Sequence, residues 1–122
     1  MLITVNIKVM GKFIISMRSK QLFQFILLDD EDRIILFSQG YTRKPACQNG
    51  ANAIKRNCSN PLMYKRISFS PVHHYFTIKS SNGQVIGTSD FYESAEIRDE
   101  VINVIMEQAP DASIVEHLEQ IN

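Results

Sequence analysis

Apolar and polar residues alternate in short stretches along most of this chain, and two longer stretches carry helical spacing instead. In residues 23–28 the period of two puts Phe25 and Leu27 on one face of a strand, and residues 74–79 do the same with Phe76 and Ile78. Each run follows a shorter extended stretch, through a turn at 18–21 in one case and at Ser70-Pro71-Val72 in the other. Each leads through a hairpin turn into a third strand, 33–38 or 84–89. Ser81-Asn82-Gly83 supplies the positive φ angles of a tight turn, and the aligned Asp30-Glu31-Asp32 ends in a residue type that tolerates that region. The helical stretches come next. Ser94 is a good N-cap, and Glu96, Asp99 and Glu100 suit a helix start. Ile97, Val101, Val104, Ile105 and Ala109 form an apolar stripe that Pro110 stops. The earlier helix begins near Lys44 with Pro45 in its first turn, and carries the small-residue stripe Cys47, Gly50, Ala51, Ile54 and Cys58. Such a stripe lets a helix lie close to a sheet. Extended chain resumes at 63–68 and 113–118.

These two series are one pattern read twice. A shift of 51 residues pairs Phe25 with Phe76, Leu27 with Ile78, Ile35 with Ile86, Ser38 with Ser89, Tyr41 with Tyr92, Asn52 with Asn103 and Ile54 with Ile105, without a gap. The chain therefore reads as a duplicated βββα unit with an extra terminal strand. Residues 1–122 form one α+β domain, with repeats at about 11–61 and 62–122. About 60 residues alone bury a marginal core. Two copies sharing a single antiparallel sheet, with both helices on one face and an approximate twofold between the halves, is the expected solution. Residues 1–10 are expected to be an extra N-terminal strand or an extension, since Ile3, Val5, Ile7 and Val9 alternate and Met10-Gly11-Lys12-Phe13 reads as a second plausible translation start.

The quoted residues resemble the YegP-like family of small, mostly bacterial proteins, whose function is unknown. The resemblance lies in Asn82-Gly83-Gln84-Val85-Ile86-Gly87-Thr88-Ser89 followed by Tyr92 and a helix, and in Gly40-Tyr41, Ala46-Cys47-Gln48-Asn49-Gly50 and Ile54-Lys55-Arg56-Asn57. It covers about residues 11–110. It implies tandem β3-α-β repeats in one sheet, with the C-terminal strands exchanged between repeats, and some members with one repeat that dimerise instead. It carries over no catalytic residue. The second helix departs from the pattern, with Arg98 where the first has Cys47 and Val101 where it has Gly50.

Composition is that of a globular protein, at 44% hydrophobic and 21% charged residues. No apolar run reaches the roughly 18–20 residues of a membrane span, and the N-terminus lacks a secretory pattern. Cys47 and Cys58, on one helix face about 16 Å apart, are too far apart to bond to each other. Buried free thiols suit a reducing compartment, so a cytoplasmic location is expected. The zero formal charge conceals a division: residues 1–79 hold twelve basic and four acidic residues, a net +8, and residues 80–122 hold one and nine, a net −8.

Candidate chemistry is sparse. His73 and His74 are adjacent, so on a strand they point to opposite faces, and His117 is distant. Asp29-Asp30-Glu31-Asp32 lacks the alternating ligands and glycine of a calcium loop and reads as a solvated turn. No nucleophile elbow or phosphate-binding glycine loop occurs. No catalytic residue, metal site or cofactor is expected, and no enzyme activity. The expected function is that of a small cytoplasmic interaction module with unknown partners, weak salt-sensitive self-association and no membrane contact. Arg43, Lys44, Lys55 and Arg56 are its candidate partner-binding residues. One alternative is a nucleic-acid-associated protein using that basic surface, although only weak, non-specific binding to nucleic acid is expected. Another is a small-molecule binder or enzyme at the Tyr41 and Tyr92 strand–helix junctions.

Overall fold

The computed structural model describes residues 10–118. The proposed strand in 1–9 and the end of the chain lie outside them. Seven strands and two helices follow in the order β1 (Met10–Ser19), β2 (Leu22–Asp29), β3 (Ile34–Phe37), α1 (Lys44–Asn57), β4 (Tyr64–Ser70), β5 (His73–Lys79), β6 (Val85–Ser89), α2 (Ala95–Gln108) and β7 (Ser113–His117). Short 3₁₀ turns, Pro61–Met63 and Ala109–Asp111, follow the helices.

All seven strands form one sheet in the order β4-β5-β6-β3-β2-β1-β7. It is not wholly antiparallel, which corrects the sequence reading. β7 runs parallel to β1, with Lys12 opposite Ser113 and Ser16 opposite His117. A parallel pair needs a crossover. β7 arrives from α2, which lies over the sheet, rather than through a hairpin.

Residues on one face of the sheet share a single core with both helices. Phe13, Phe25, Leu27, Leu36, Phe76 and Ile78 are buried there with Cys47, Ala51, Ile54, Val101, Ile102 and Ile105. The small-residue stripe of α1 lies where its spacing predicts, and Gly50 explains its close approach. A Cβ on Gly50 would stand 3.0 Å from Cζ of Tyr41 and 3.1 Å from a Phe25 ring carbon. The α2 stripe is rotated relative to expectation: Arg98, Val101, Ile102 and Ile105 are buried, whereas Ile97 and Val104 are half-buried. Arg98 turns inward because its guanidinium finds acceptors, donating to the Ile67 carbonyl at 3.4 Å and to Ser68 Oγ at 3.1 Å.

Local contacts recur at the 51-residue spacing. Asp32 (φ 61°) and Gly83 (φ 87°) occupy the left-handed region at corresponding points of the two hairpins. After β3 and after β6 the chain stays attached to the second strand of its half. Phe23 and Tyr41 exchange two backbone hydrogen bonds of 2.7 Å, and His74 and Tyr92 exchange two of 3.0 and 2.7 Å. Between these bridges and the ladder a serine hydroxyl replaces a carbonyl. The Phe25 N–H donates to Ser38 Oγ at 2.9 Å, and the Phe76 N–H donates to Ser89 Oγ at 3.0 Å. Each hydroxyl donates onward to the next residue's carbonyl, Gln39 at 2.7 Å and Asp90 at 2.8 Å.

Replacing either serine leaves a buried N–H without its partner. Ser38→Ala and Ser89→Ala are each expected to lower unfolding free energy by about 1–3 kcal/mol, and urea denaturation of the single and double variants checks this. Removing residues 111–122 deletes β7 and its five-residue ladder with β1. The expected result is a melting temperature lower by about 5–10 °C, read by circular dichroism.

Candidate functional site

The helices cover one side of the sheet, and among the described residues the other side is open. The register draws an unbroken row across it: Lys65, Thr77, Thr88, Phe37, Ile26, Ile14 and Val115 stand directly opposite one another from β4 to β7. Directly opposed residues share a face, so these side chains all project away from the helices. Several large apolar groups on this side are about half exposed: Ile34 at 50%, Phe37 at 44%, Phe69 at 61% and Phe91 at 52%. Thr77, nearly buried within the row, has no hydrogen-bond partner for its hydroxyl among the described residues.

The two ends of this face differ. At the end bearing the β1–β2 turn, a shallow groove of about 490 Å³ is lined by Arg18, Gln24, Ile26, Phe37, Gln39 and Val85, among others. At the opposite end, Phe69, His73, Tyr75 and Phe91 form an aromatic cluster with ring centroids 5.0–5.6 Å apart. His73 Nδ1 lies 2.6 Å from Ser70 Oγ, which leaves His73 on the open side, while His74 faces the helix side with Nδ1 2.7 Å from Ser68 Oγ. The adjacent histidines therefore diverge, as alternation requires.

The four basic residues singled out in the sequence stand at the two ends of α1. Arg43 and Lys44 stand at the start of α1, and Lys55 and Arg56 in its last turn, about 16 Å along the axis. Lys44 is spent on Glu116, with Nζ–Oε2 at 3.1 Å, and this ion pair joins the basic half to the acidic half. Arg66–Asp99 at 3.0 Å does the same between β4 and α2. Hydrogen bonds from Lys44 and Gln48 hold the Glu116 carboxyl below its usual range.

The other candidates are structural or occupied. Burial pushes the Cys47 and Cys58 thiols up to about 11, so neither is a ready nucleophile. The Tyr41 ring stacks on Phe25 with centroids 6.4 Å apart and lies over Gly50. Tyr92 borders a recess of about 410 Å³ shared with Asp29, Arg33, Ile34, Ile35 and Asp90. Burial, then the nearby Asp90 and Asp29 carboxylates, raise its phenol well above the usual range. Asp29 is not a solvated turn residue. It is buried, accepts from the Glu31 and Arg33 N–H groups at 2.9 Å each, and pairs with Arg33 Nε at 2.8 Å. Among the described residues no three His, Cys, Asp or Glu converge to hold a metal ion, and no helix is long and apolar enough to cross a membrane.

The open face escaped the sequence reading, although one signal pointed to it. Ile34-Ile35-Leu36-Phe37 is apolar without alternation, so this strand has an apolar side whichever face the core takes.

A family model described as "Domain of unknown function (DUF1508)" matches twice, over residues 19–64 and 72–116, and the chain belongs to this family. A UPF0339 protein encoded in the ptx operon 5′ region of Stutzerimonas stutzeri is 37% identical over 94 residues, covering 77% of this chain and 85% of that protein. The UPF0339 protein YegP of Escherichia coli is 32% identical over 89 residues, covering 73% and 81%. The solution structure of a UPF0339 protein from Shewanella oneidensis superposes with a TM-score of 0.82 at 30% identity, covering 88% of this chain and 92% of that one. That of yegP from E. coli, of unknown function, gives 0.83 at 25% identity, covering 95% and 100%.

Asp29 makes a pH prediction. Burial raises its pKa, but the hydrogen bonds from the Arg33 and Glu31 backbone and from the Arg33 guanidinium outweigh it, and the net shift is downward. A depressed carboxyl pKa stabilises the fold above the unfolded value of about 3.9 and loses that contribution as pH falls through the folded value. Asp29→Asn is therefore expected to flatten the loss of stability below about pH 4, measured by urea denaturation across pH 2–7.

Proposed function

We propose that this chain is a non-enzymatic interaction module that presents the helix-free face of its sheet to a partner. The observation that carries this reading is the half-exposed apolar set Ile34, Phe37, Phe69 and Phe91 on a sheet face that no helix among the described residues covers. Buried thiols, and phenols raised by burial at Tyr64 and Tyr92, add support. The two halves act as tandem copies related by an approximate twofold, with β7 exchanged onto the first copy, and the repeated serine and tyrosine junctions support that reading. The reduced, buried cysteines suit the cytoplasm. Weak self-association through the open face at high concentration belongs to the same proposal.

The test compares three forms of the full chain as bait in an extract: wild type, the open-face variant Phe37→Ser with Phe91→Ser, and the helix variant Arg43→Ser with Arg56→Ser. All are checked for fold by circular dichroism. The expected result is a defined species retained by wild type and the helix variant and lost by the open-face variant. Identical retention by all three would remove the open face as the partner surface.

A further inference from the structure

The groove end of the open face is cationic. Arg18 lines the groove itself, and Lys79 stands directly opposite Val85, which also lines it. Lys65 begins the cross-strand row, and Lys20 lies in the β1–β2 turn at the same end. Arg18, Lys20, Lys65 and Lys79 make no ion pair with a carboxylate among the described residues. Among the described residues no acidic side chain lines the groove. The carboxylates lie elsewhere: Glu96, Asp99, Glu100 and Glu107 are on α2, behind the sheet, and Asp30, Glu31, Asp32 and Asp90 gather at the other end of the strands. The groove end of the open face thus carries cations with no carboxylate among its described lining residues, which suits an anionic ligand.

The groove also limits the form of that ligand. Its floor is made by β2, β3 and β6, all interior strands whose backbone groups pair with neighbouring strands. An extended peptide cannot add a strand there, because that mode needs a free edge. Recognition must come from side chains. Phe37 offers a half-exposed ring at the centre, the amides of Gln24 and Gln39 offer both donors and acceptors, and cations stand on both sides. From β1 with Arg18 to β5 with Lys79 is four strand spacings, about 19 Å. A flat ring platform, amide groups and spaced cations match a chain that carries one charge and one π-face per residue.

We infer that the basic end of the helix-free face binds single-stranded nucleic acid, with a base stacked on Phe37 and phosphates held by Arg18, Lys65 and Lys79. This rests on the open face being the partner surface, and it moves the nucleic-acid surface away from α1, where the sequence had placed it. A duplex fits poorly, since its bases are already stacked and cannot reach Phe37. The amide side chains add contacts to base edges, but stacking on one ring tolerates any base, so sequence preference is low.

The test is fluorescence anisotropy with the full chain and a labelled deoxythymidine strand of about 12 nucleotides, at low and physiological salt, against a duplex of equal length. The single strand should bind more tightly than the duplex. Phe37→Ala should weaken binding about tenfold, while Phe37→Tyr retains it and shows that the fold is not at fault. Arg18→Ala with Lys79→Ala should reduce the slope of log affinity against log salt by about 1.4. Arg43→Ala with Arg56→Ala should change nothing. The inference is overturned if no strand binds at low salt, if duplex binds as tightly, if Phe37→Ala has no effect, or if only the α1 variant weakens binding. Full displacement by an acidic peptide with no dependence on Phe37 would identify an acidic protein partner and overturn it too. If the strand fails to bind but the open-face variant still loses its partner in extract, the interaction module stands and only the nucleic-acid assignment falls.

Discussion

The fold depends on two buried serine hydroxyls. At the end of β3 and of β6 the chain must leave the sheet, cross over it and begin a helix. Each departure strands the backbone N–H of a core phenylalanine that the ladder would otherwise pair. Ser38 and Ser89 accept those two N–H groups and donate onward to the next carbonyl, so a buried break in the ladder keeps its hydrogen bonding. With the break satisfied, Tyr41 and Tyr92 can re-pair with β2 and β5 beyond it. The helices then start from defined points and share one core on the same side of the sheet. The bare opposite face is a direct consequence of that arrangement.

The two halves solve the same packing problem with different residues. In the first, Gly50 leaves room for the Tyr41 ring against Phe25, and Cys47 fills the small space beside it. In the second, Val101 and Arg98 occupy the corresponding helix positions. Arg98 is nearly buried and serves three acceptors, the Ile67 carbonyl, Ser68 Oγ and Asp99. Asp99 also receives Arg66, so one carboxylate on α2 ties together a helix arginine and a strand arginine at the β4 edge. The first helix reaches the opposite edge in its own way, through Lys44 and Gln48 to Glu116 on β7. Both outer strands are thus pinned to helices by polar contacts, β4 to the helix of its own repeat and β7 to the helix of the other.

These contacts use part of the charge imbalance and leave the rest displayed. Lys44 and Arg66 are neutralised against the acidic half, while Arg18, Lys20, Lys65 and Lys79 are not. The molecule is neutral overall, but Arg18, Lys65 and Lys79 stand with exposed aromatic rings on the side away from the helices, whereas the α2 carboxylates and the α1 cations Arg43, Lys55 and Arg56 lie on the helix side. Such an arrangement steers a ligand by sign at low ionic strength and loses that advantage as salt shortens the screening length.

Much of this architecture was legible in the chain itself. Local periods identify strands and helices, and the 51-residue shift identifies the duplication, down to the aligned positive-φ positions Asp32 and Gly83. The small-residue stripe on α1 announced its close contact with the sheet, because size alone sets how near a helix can lie. The direction of the last strand was not legible. Nothing in Ser113-Ile114-Val115-Glu116-His117 states that it runs parallel to β1, since that depends on where α2 releases the chain. The candidate site was hidden for a related reason. Alternation separates the two faces of a strand but does not say which is covered, and in Ile34-Ile35-Leu36-Phe37 both faces are apolar. Arg18, Phe37 and Lys79 lie far apart in sequence and meet only because the sheet order sets β1, β3 and β5 side by side with their neighbours. The residue pattern determined the elements and their repetition; the packing of two helices on one side decided which residues remained outside.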